Sequence, residues 1–302
     1  MRVAVTGSTG RLGRAMVEAL ADAPFTGPAG PTAWTRHELD LDDPAGVGAA
    51  LDRDRPEVVI HTAAWTDVDG CARDPERALR RNGEATGVLA RACAERGVDL
   101  VVVSTNEVFD GARSDGVAYG ADEEPSPANA YGASKLAGER AAREAYADAA
   151  VGRAVLGIAR TAWLFGPPRP DFPVKIVQAA ERARLAGEPL RVVEDEWGTP
   201  SYAADVAEAI VELLADDRHG GTHHLVNAGV TTRAGWAEDV LARLAISVPV
   251  EPVPGATWAR ASRPPAWGVL AATPLPSGEP IRSWTAAMAD YAPVLRRTWR
   301  AA

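Results

Sequence analysis

Val3-Ala4-Val5-Thr6-Gly7-Ser8-Thr9-Gly10-Arg11-Leu12-Gly13 stands at the head of the chain, and its reading decides the fold. A short apolar run of strand type passes through a G-x-x-G-x-x-G loop into an amphipathic segment from Leu12 to Ala21. Glycines at such a junction permit a tight turn, close backbone approach to a pyrophosphate, and close helix–strand packing. The helix N-terminus then presents unpaired N–H groups to phosphate. Taken alone, the motif also suits a purely structural glycine turn. Its place at the first strand-to-helix junction makes Gly7, Thr9, Gly10, Arg11, Leu12 and Gly13 candidate dinucleotide contacts.

Outward from this loop, short β-branched runs alternate with longer amphipathic ones. Strands are expected near Thr32 to Thr35, at Val58 to His61, at Leu100 to Ser104 and at Leu156 to Arg160. Helices are expected through Val47 and Leu51, from Glu84 to Arg96 and from about Tyr131 to Tyr146. This is the pattern of an α/β fold, a doubly wound parallel sheet of the Rossmann type. Residues 1–165 read as the dinucleotide-binding domain, with a helix near 172–187 packed on it. Residues 188–302 read mainly as a smaller C-terminal substrate-binding lobe, its boundaries interleaved with the first. Pro167, Pro168, Pro170 and Pro173, then seven prolines from Pro252 to Pro280, predict a loop-rich lobe rather than further βαβ units.

Hydrophobic residues make up 46% of the 302 and charged ones 24%, which excludes a largely disordered chain. Lys and Arg number 32 against 41 Asp and Glu, a formal charge of −9. Such a surface does not suit general binding of nucleic acid or anionic membranes, for want of surplus positive charge. Cys71 and Cys93 are too few to staple the chain and read as buried thiols of a reduced compartment. Met1-Arg2 runs into Val3 without an apolar leader, and no apolar run approaches a membrane span. The cytoplasm is the expected location. No His/Asp/Glu cluster reads as a metal site, and His61, His223 and His224 read as structural.

An NAD-preferring site places an acid about 20 residues beyond the glycines. Here the second strand ends in Trp34-Thr35-Arg36. Arg36 suits a 2′-phosphate, because a guanidinium fork matches phosphate oxygens; a solvated loop residue is the other reading. NADPH is therefore the expected cofactor, with NADH left open. Thr35, Asp40 and Leu41 join Arg36 as candidate adenosine-side contacts. Further along, Tyr131-Gly132-Ala133-Ser134-Lys135 sets a phenol and an ammonium on one helix face. Thr105 follows a buried strand, where ligand sites of such sheets open. Together they equip a carbonyl reduction. Tyr131 gives a proton to the developing alkoxide, Lys135 makes the phenol more acidic and holds the nicotinamide ribose, and Thr105 orients the carbonyl.

With these residues in view the chain resembles the extended short-chain dehydrogenase/reductases and, within them, the dTDP-4-dehydrorhamnose reductase family. Ala63-Ala64-Trp65-Thr66-Asp67-Val68-Asp69 is similar to the family's segment along the cofactor, and Asn82 matches an asparagine opening the next helix. Ser104-Thr105-Asn106-Glu107-Val108-Phe109-Asp110-Gly111 resembles S-T-D-Y-V-F-D-G, and Tyr131 to Lys135 continues in family style into Leu136-Ala137-Gly138-Glu139. Arg160 to Gly166 resembles R-T-S-W-V-Y-G, Asp195 to Ser201 resembles D-Q-x-G-x-P-T, and Arg263-Pro264 matches an R-P pair.

The resemblance implies that Ala63, Ala64, Trp65 and Asn82 serve the cofactor. It implies that Thr66, Val68, Asn106, Glu107, Trp163, Trp197 and Arg263 serve a nucleotide-sugar substrate. For both tryptophans core packing is the other reading. The implied activity is NADPH-dependent reduction of the 4-keto group of a dTDP-4-keto-6-deoxyhexose, most simply dTDP-4-dehydro-L-rhamnose; a homodimer is the expected assembly. Two alternatives stand beside it: a sugar-nucleotide epimerase or dehydratase that retains NAD(P), and a non-catalytic NADP-binding regulatory subunit. Four residues at three places depart from the pattern. Asn106-Glu107 replaces Asp-Tyr, Glu196 replaces Gln, and Gly268 replaces Ser. A sister group, the 4,6-dehydratases, carries an acidic pair at the first of these; Asn106 has no proton to give near neutral pH, which disfavours dehydration.

Overall fold

The Val3–Thr6 strand (β1) is buried at all four positions, since an unbroken apolar run must be covered on both faces. It pairs in parallel with Thr32–Trp34 (β2) on one side and Val58–His61 (β3) on the other. Asp99–Thr105 (β4), Leu156–Thr161 (β5) and Gly221–His224 extend the sheet beyond β3, every pair parallel. The order changes direction between β1 and β3, and such switch points open ligand crevices at the carboxyl ends of the strands. The computed structural model describes residues 1–148, 154–168 and 170–300.

Two layers of helices cover the sheet. On one face Leu12, Met16 and Leu20 of the Arg11–Ala21 helix and Val206, Ile210 and Leu213 of the Ala203–Ala215 helix pack on Val5 and Ile60. On the other, Leu51, Leu89 and Ala142 from three helices meet Trp34, Val59, Leu100 and Val102. His61 lies wholly inside, its Nδ1 2.8 Å from Thr6 Oγ1 and its Nε2 3.1 Å from Thr86 Oγ1. Burial, aided by the Lys135 charge, pushes its pKa down to about 3, so it holds strands and helix together as a neutral ring. Cys71 and Cys93 are buried free thiols.

A second core gathers Phe165, Trp236, Val240, Met288 and Leu295 beside the parallel pair Leu190–Val193 and Val250–Val253. The Phe172–Ala186 helix, expected on the first domain, belongs here: Ile176, Val177 and Ala180 face Trp236 and Leu241, not the large sheet. Its apolar stripe is matched by the aromatic side chains of this lobe. The lobe also holds more regular structure than its prolines suggested, because Pro173 sits in the first turn of a helix and many of the others fall in the connections. The sixth strand, Gly221–His224, is a further departure; it is too short and polar to stand out in sequence. Among the described residues no helix is long and apolar enough to cross a membrane.

One ion pair ties sheet to helix in the dry interior. Arg160 of β5 donates from Nε and Nη2 to both carboxylate oxygens of Glu139 in the Ala130–Ala147 helix, at 3.0 and 2.8 Å, with both side chains at most 2% exposed. Removing one member leaves a buried charge alone, at a cost of about 3–5 kcal/mol, whereas exposed pairs are worth about 1 kcal/mol or less. Glu139→Ala is therefore expected to lower the urea-unfolding free energy by about 3 kcal/mol or more. Arg143→Ala, which removes only a half-exposed partner 3.7 Å from the same carboxylate, shifts it by less than about 1 kcal/mol. Equal losses in the two variants would contradict this account.

Candidate active site

The glycine loop is shaped by two close approaches. Gly7 has φ +62°, and a Cβ there would lie 2.8 Å from the Ala63 backbone that follows β3. At Gly13 a Cβ would meet the Gly7 carbonyl at 2.2 Å, so the Arg11–Ala21 helix starts hard against the loop. Gly10 precedes that helix without any side-chain cap, leaving first-turn N–H groups for an anion. Arg11 donates to the carbonyls of Gly166 and Pro170, at 2.6 and 3.2 Å.

Two adjoining cavities follow the carboxyl edge of the sheet and share Gly10, Thr62 and Ala64. The outer one, about 330 Å³, is lined by Gly7, Thr9, Gly10, Arg36, Asp40, Leu41, Ala63, Ala64 and Trp65, with Arg81 added. The inner one, about 390 Å³, is lined by Gly10 to Gly13, Ala64, Thr66, Val68, Thr105, Asn106, Glu107, Tyr131, Lys135 and Trp163, with Arg233 added. The expected cofactor and substrate residues thus divide between two connected spaces.

Arg36 is not free. It pairs with Asp40 at 3.1 Å and with Asp42 at 2.9 Å, and Asp42 also holds Arg81. Arg81 and Arg77 lie over the Trp65 ring at 5.5 and 5.3 Å. Two guanidinium groups therefore wall the outer cavity, each already matched by a carboxylate.

In the inner cavity, Thr105 ends β4 and its Oγ1 accepts from the Glu107 N–H at 3.2 Å. Tyr131 and Lys135 are one turn apart near the start of the Ala130–Ala147 helix, both buried. Asn129 caps this helix: its Oδ1 accepts from Gly132 N at 2.8 Å while its Nδ2 donates to Glu107 Oε2 at 2.7 Å. A Cβ at Gly132 would come within 1.9 Å of the Glu107 carbonyl, so glycine lets the helix start against the Thr105 loop.

Burial, then the Glu107 charge, raises the Tyr131 pKa, with a hydrogen bond from Thr105 pulling the other way. The acidifying role expected of Lys135 is not what dominates this phenol. Burial also lowers Lys135, to about 8, against an opposing pull from Glu139. At pH 7 Lys135 is mostly an ammonium and Tyr131 a phenol. Glu107 is raised above the usual carboxylate range by burial, opposed by its bond from Asn129.

Four expected residues lie outside both cavity linings. Thr35 holds its own turn, bonding Glu38 Oε2 through its N–H and its hydroxyl at 2.8 and 2.7 Å. Asn82 is buried and braces the cofactor-side segment: its Oδ1 accepts from Trp65 N at 2.7 Å and its Nδ2 donates to Trp65 O and Ser134 Oγ, both at 3.0 Å. Trp197 is 42% exposed and leans on Trp267. Arg263 is exposed and meets the site through its carbonyl, which accepts from Asn129 Nδ2 at 3.2 Å. The residues sequence reading missed are Arg81 and Arg233. Arg81 directly precedes the expected Asn82 and Arg233 comes from a distant helix, and no local pattern marks either.

This sheet, its glycine loop and the Thr105, Tyr131 and Lys135 arrangement define an extended short-chain dehydrogenase/reductase. A family model described as "RmlD substrate binding domain" matches residues 1–296, and the chain belongs to that family. It is 35% identical to a dTDP-4-dehydrorhamnose reductase of Streptomyces griseus, over 96% of this chain and 93% of that one. It is 36% identical to a dTDP-4-keto-6-deoxy-D-glucose reductase of Streptomyces niveus, over 96% of each. Among solved structures, dTDP-4-dehydrorhamnose reductase from Bacillus anthracis in complex with NADP superposes with a TM-score of 0.84 at 28% identity, covering 96% of this chain and 98% of that one.

Because Lys135 falls from 10.5 to about 8 on folding, the native state binds fewer protons than the unfolded chain between those pH values. Stability contributed at this position therefore rises with pH across that window, and the penalty for the buried ammonium is fully present below pH 8. Lys135→Met is expected to raise the melting temperature at pH 7, with the gain shrinking towards pH 10. A gain that does not vary with pH would remove burial of charge as its cause.

Proposed function

We propose that this chain is an NADPH-dependent 4-ketoreductase of a dTDP-4-keto-6-deoxyhexose, foremost dTDP-4-dehydro-L-rhamnose. The observation that carries the reading is the convergence of Thr105, Tyr131 and Lys135 on one cavity that adjoins the glycine-loop cleft. The activities named for its Streptomyces relatives support the substrate class, and the NADP complex of the Bacillus relative supports the cofactor. Two buried free thiols and the absence of a spanning helix among the described residues support a cytoplasmic enzyme.

The cofactor, when bound along the loop, supplies the hydride that reduces C4. Thr105 donates to the carbonyl oxygen and holds it at the mouth of β4. Tyr131 stays protonated to a high pH and gives its proton to the alkoxide as it forms, the alkoxide being the far stronger base. Lys135 bonds the nicotinamide ribose as an ammonium. The loop amides and the helix N-terminus offset the cofactor's diphosphate. Arg36, held beside the cleft by Asp40 and Asp42, would bind the 2′-phosphate.

The test is loss of nicotinamide absorbance with dTDP-4-keto-6-deoxy-D-glucose, with and without a 3,5-epimerase. Consumption only with the epimerase is expected. Consumption without it would make this a D-sugar reductase, as named for the Streptomyces niveus relative. None in either case, with NADPH still binding, would turn the assignment to a regulatory subunit. Tyr131→Phe is expected to keep NADPH affinity and lose about 10²–10⁴-fold in turnover. Arg36→Ala is expected to weaken NADPH much more than NADH; equal losses would refute the 2′-phosphate contact.

A further inference from the structure

Glu107 and Arg233 are two charged side chains of the inner cavity that the proton and hydride transfer do not employ. Arg233 opens the Arg233–Leu244 helix, 72 residues beyond the end of β5. Its guanidinium carbon lies 3.5 Å from the Trp163 ring centroid, and its Nε donates to Glu196 Oε2 at 3.3 Å. Among the described residues its two terminal nitrogens have no hydrogen-bond partner. The side chain is 22% exposed and lines the cavity.

Trp163 makes this a rigid placement. It holds φ at +44°, a left-handed backbone that is strained for a residue with a Cβ. Its ring is stacked with Trp236 at 5.9 Å, and a Cβ at Gly198 would lie 2.5 Å from it. Strain that persists because its surroundings fix it is found where a wall must keep its shape.

Glu107 offers the complement. One carboxylate oxygen takes the Asn129 bond at 2.7 Å, and the other accepts no hydrogen bond from the described residues. Glu107 and Arg233 feel each other's charge yet form no direct ion pair among the described residues. Between them is a free acceptor on one side and a free donor fork on the other. A hydroxyl, with one proton to give and two lone pairs, answers both. A diphosphate does not, because the surrounding charges are Glu107, Glu196 and Asp69 against Arg233 and Arg260, a negative balance. Glu107 lies two residues beyond Thr105 and its charge acts on Tyr131, so the group between them adjoins the carbonyl that those two hold.

We propose that Glu107 and Arg233 clasp the hydroxyl on C3 of the hexose, next to the ketone, Glu107 accepting its proton and Arg233 donating to its oxygen. The clasp rests on the ketoreductase reading and narrows it to sugars that keep this hydroxyl. A buried site built to hydrogen-bond a hydroxyl rejects the analogue lacking it, because its own polar groups are left unpaired.

The test compares dTDP-4-dehydro-L-rhamnose with its 3-deoxy analogue in wild type, Glu107→Gln and Arg233→Leu, together with the affinity of each protein for dTDP. Wild type is expected to favour the hydroxylated sugar by about 100-fold or more in kcat/KM. In each variant that preference collapses to about tenfold or less, through KM, while dTDP binds as in wild type. Equal preference in wild type and variants would overturn the clasp. Weaker dTDP binding by Arg233→Leu would also overturn it, in favour of a phosphate contact. If Arg233→Leu fails to fold, the isosteric Glu107→Gln carries the comparison. Wild type that binds NADPH but turns over neither sugar would overturn the ketoreductase reading, and the clasp with it.

Discussion

The start of the Ala130–Ala147 helix rests directly on the Thr105 loop, and the chemistry of the site depends on that contact. It exists because Gly132 has no side chain where the Glu107 carbonyl stands. Asn129 fixes the same junction by polar bonds, capping the helix with one end of its amide and holding Glu107 and the Arg263 carbonyl with the other. Two turns along, the Glu139–Arg160 pair anchors the helix to β5. A helix gripped at both heights gives Tyr131 and Lys135 one position relative to Thr105, the positional precision that the proposed proton transfer requires.

Charge is balanced locally at both ends of the cleft. In the outer cavity Asp40 and Asp42 occupy the guanidinium groups of Arg36 and Arg81, so carboxylates already hold both forks. In the inner cavity Glu196 steadies Arg233 and Asn129 steadies Glu107, each leaving part of its partner's hydrogen-bonding capacity open. A chain of formal charge −9 can thus receive an anionic cofactor without a broadly basic surface. Local donors, not net charge, set what it binds.

Much of this was legible in the sequence because the signals were local. The glycine loop, the four apolar strands after it and the Tyr131 helix each declare themselves within about 15 residues, through spacing and turn chemistry. What escaped depends on contacts between distant segments. The stripe on the Phe172–Ala186 helix marks a buried face but not which core receives it. Gly221–His224 is polar along an edge, where no alternation is required. Arg36 stands out as a cation, yet the turn that returns Asp40 and Asp42 to it appears only in three dimensions. Arg233 gains its meaning from Trp163, 70 positions earlier.

The path of the chain between the two cores carries a consequence of its own. Phe165 already belongs to the second core, the Phe172–Ala186 helix stays there, and the Ala203–Ala215 helix and the Gly221–His224 strand return to the first. The Arg233–Leu244 helix leaves again, Ile281 comes back, and the Trp284–Arg300 helix ends in the second. No single cut separates the lobes into two contiguous pieces. The second lobe cannot be lifted out as a cassette and exchanged by one recombination event. On the proposed clasp, new sugar preferences in such a chain arise by substitution in place, at positions such as Glu107 and Arg233, with both cores left as they are.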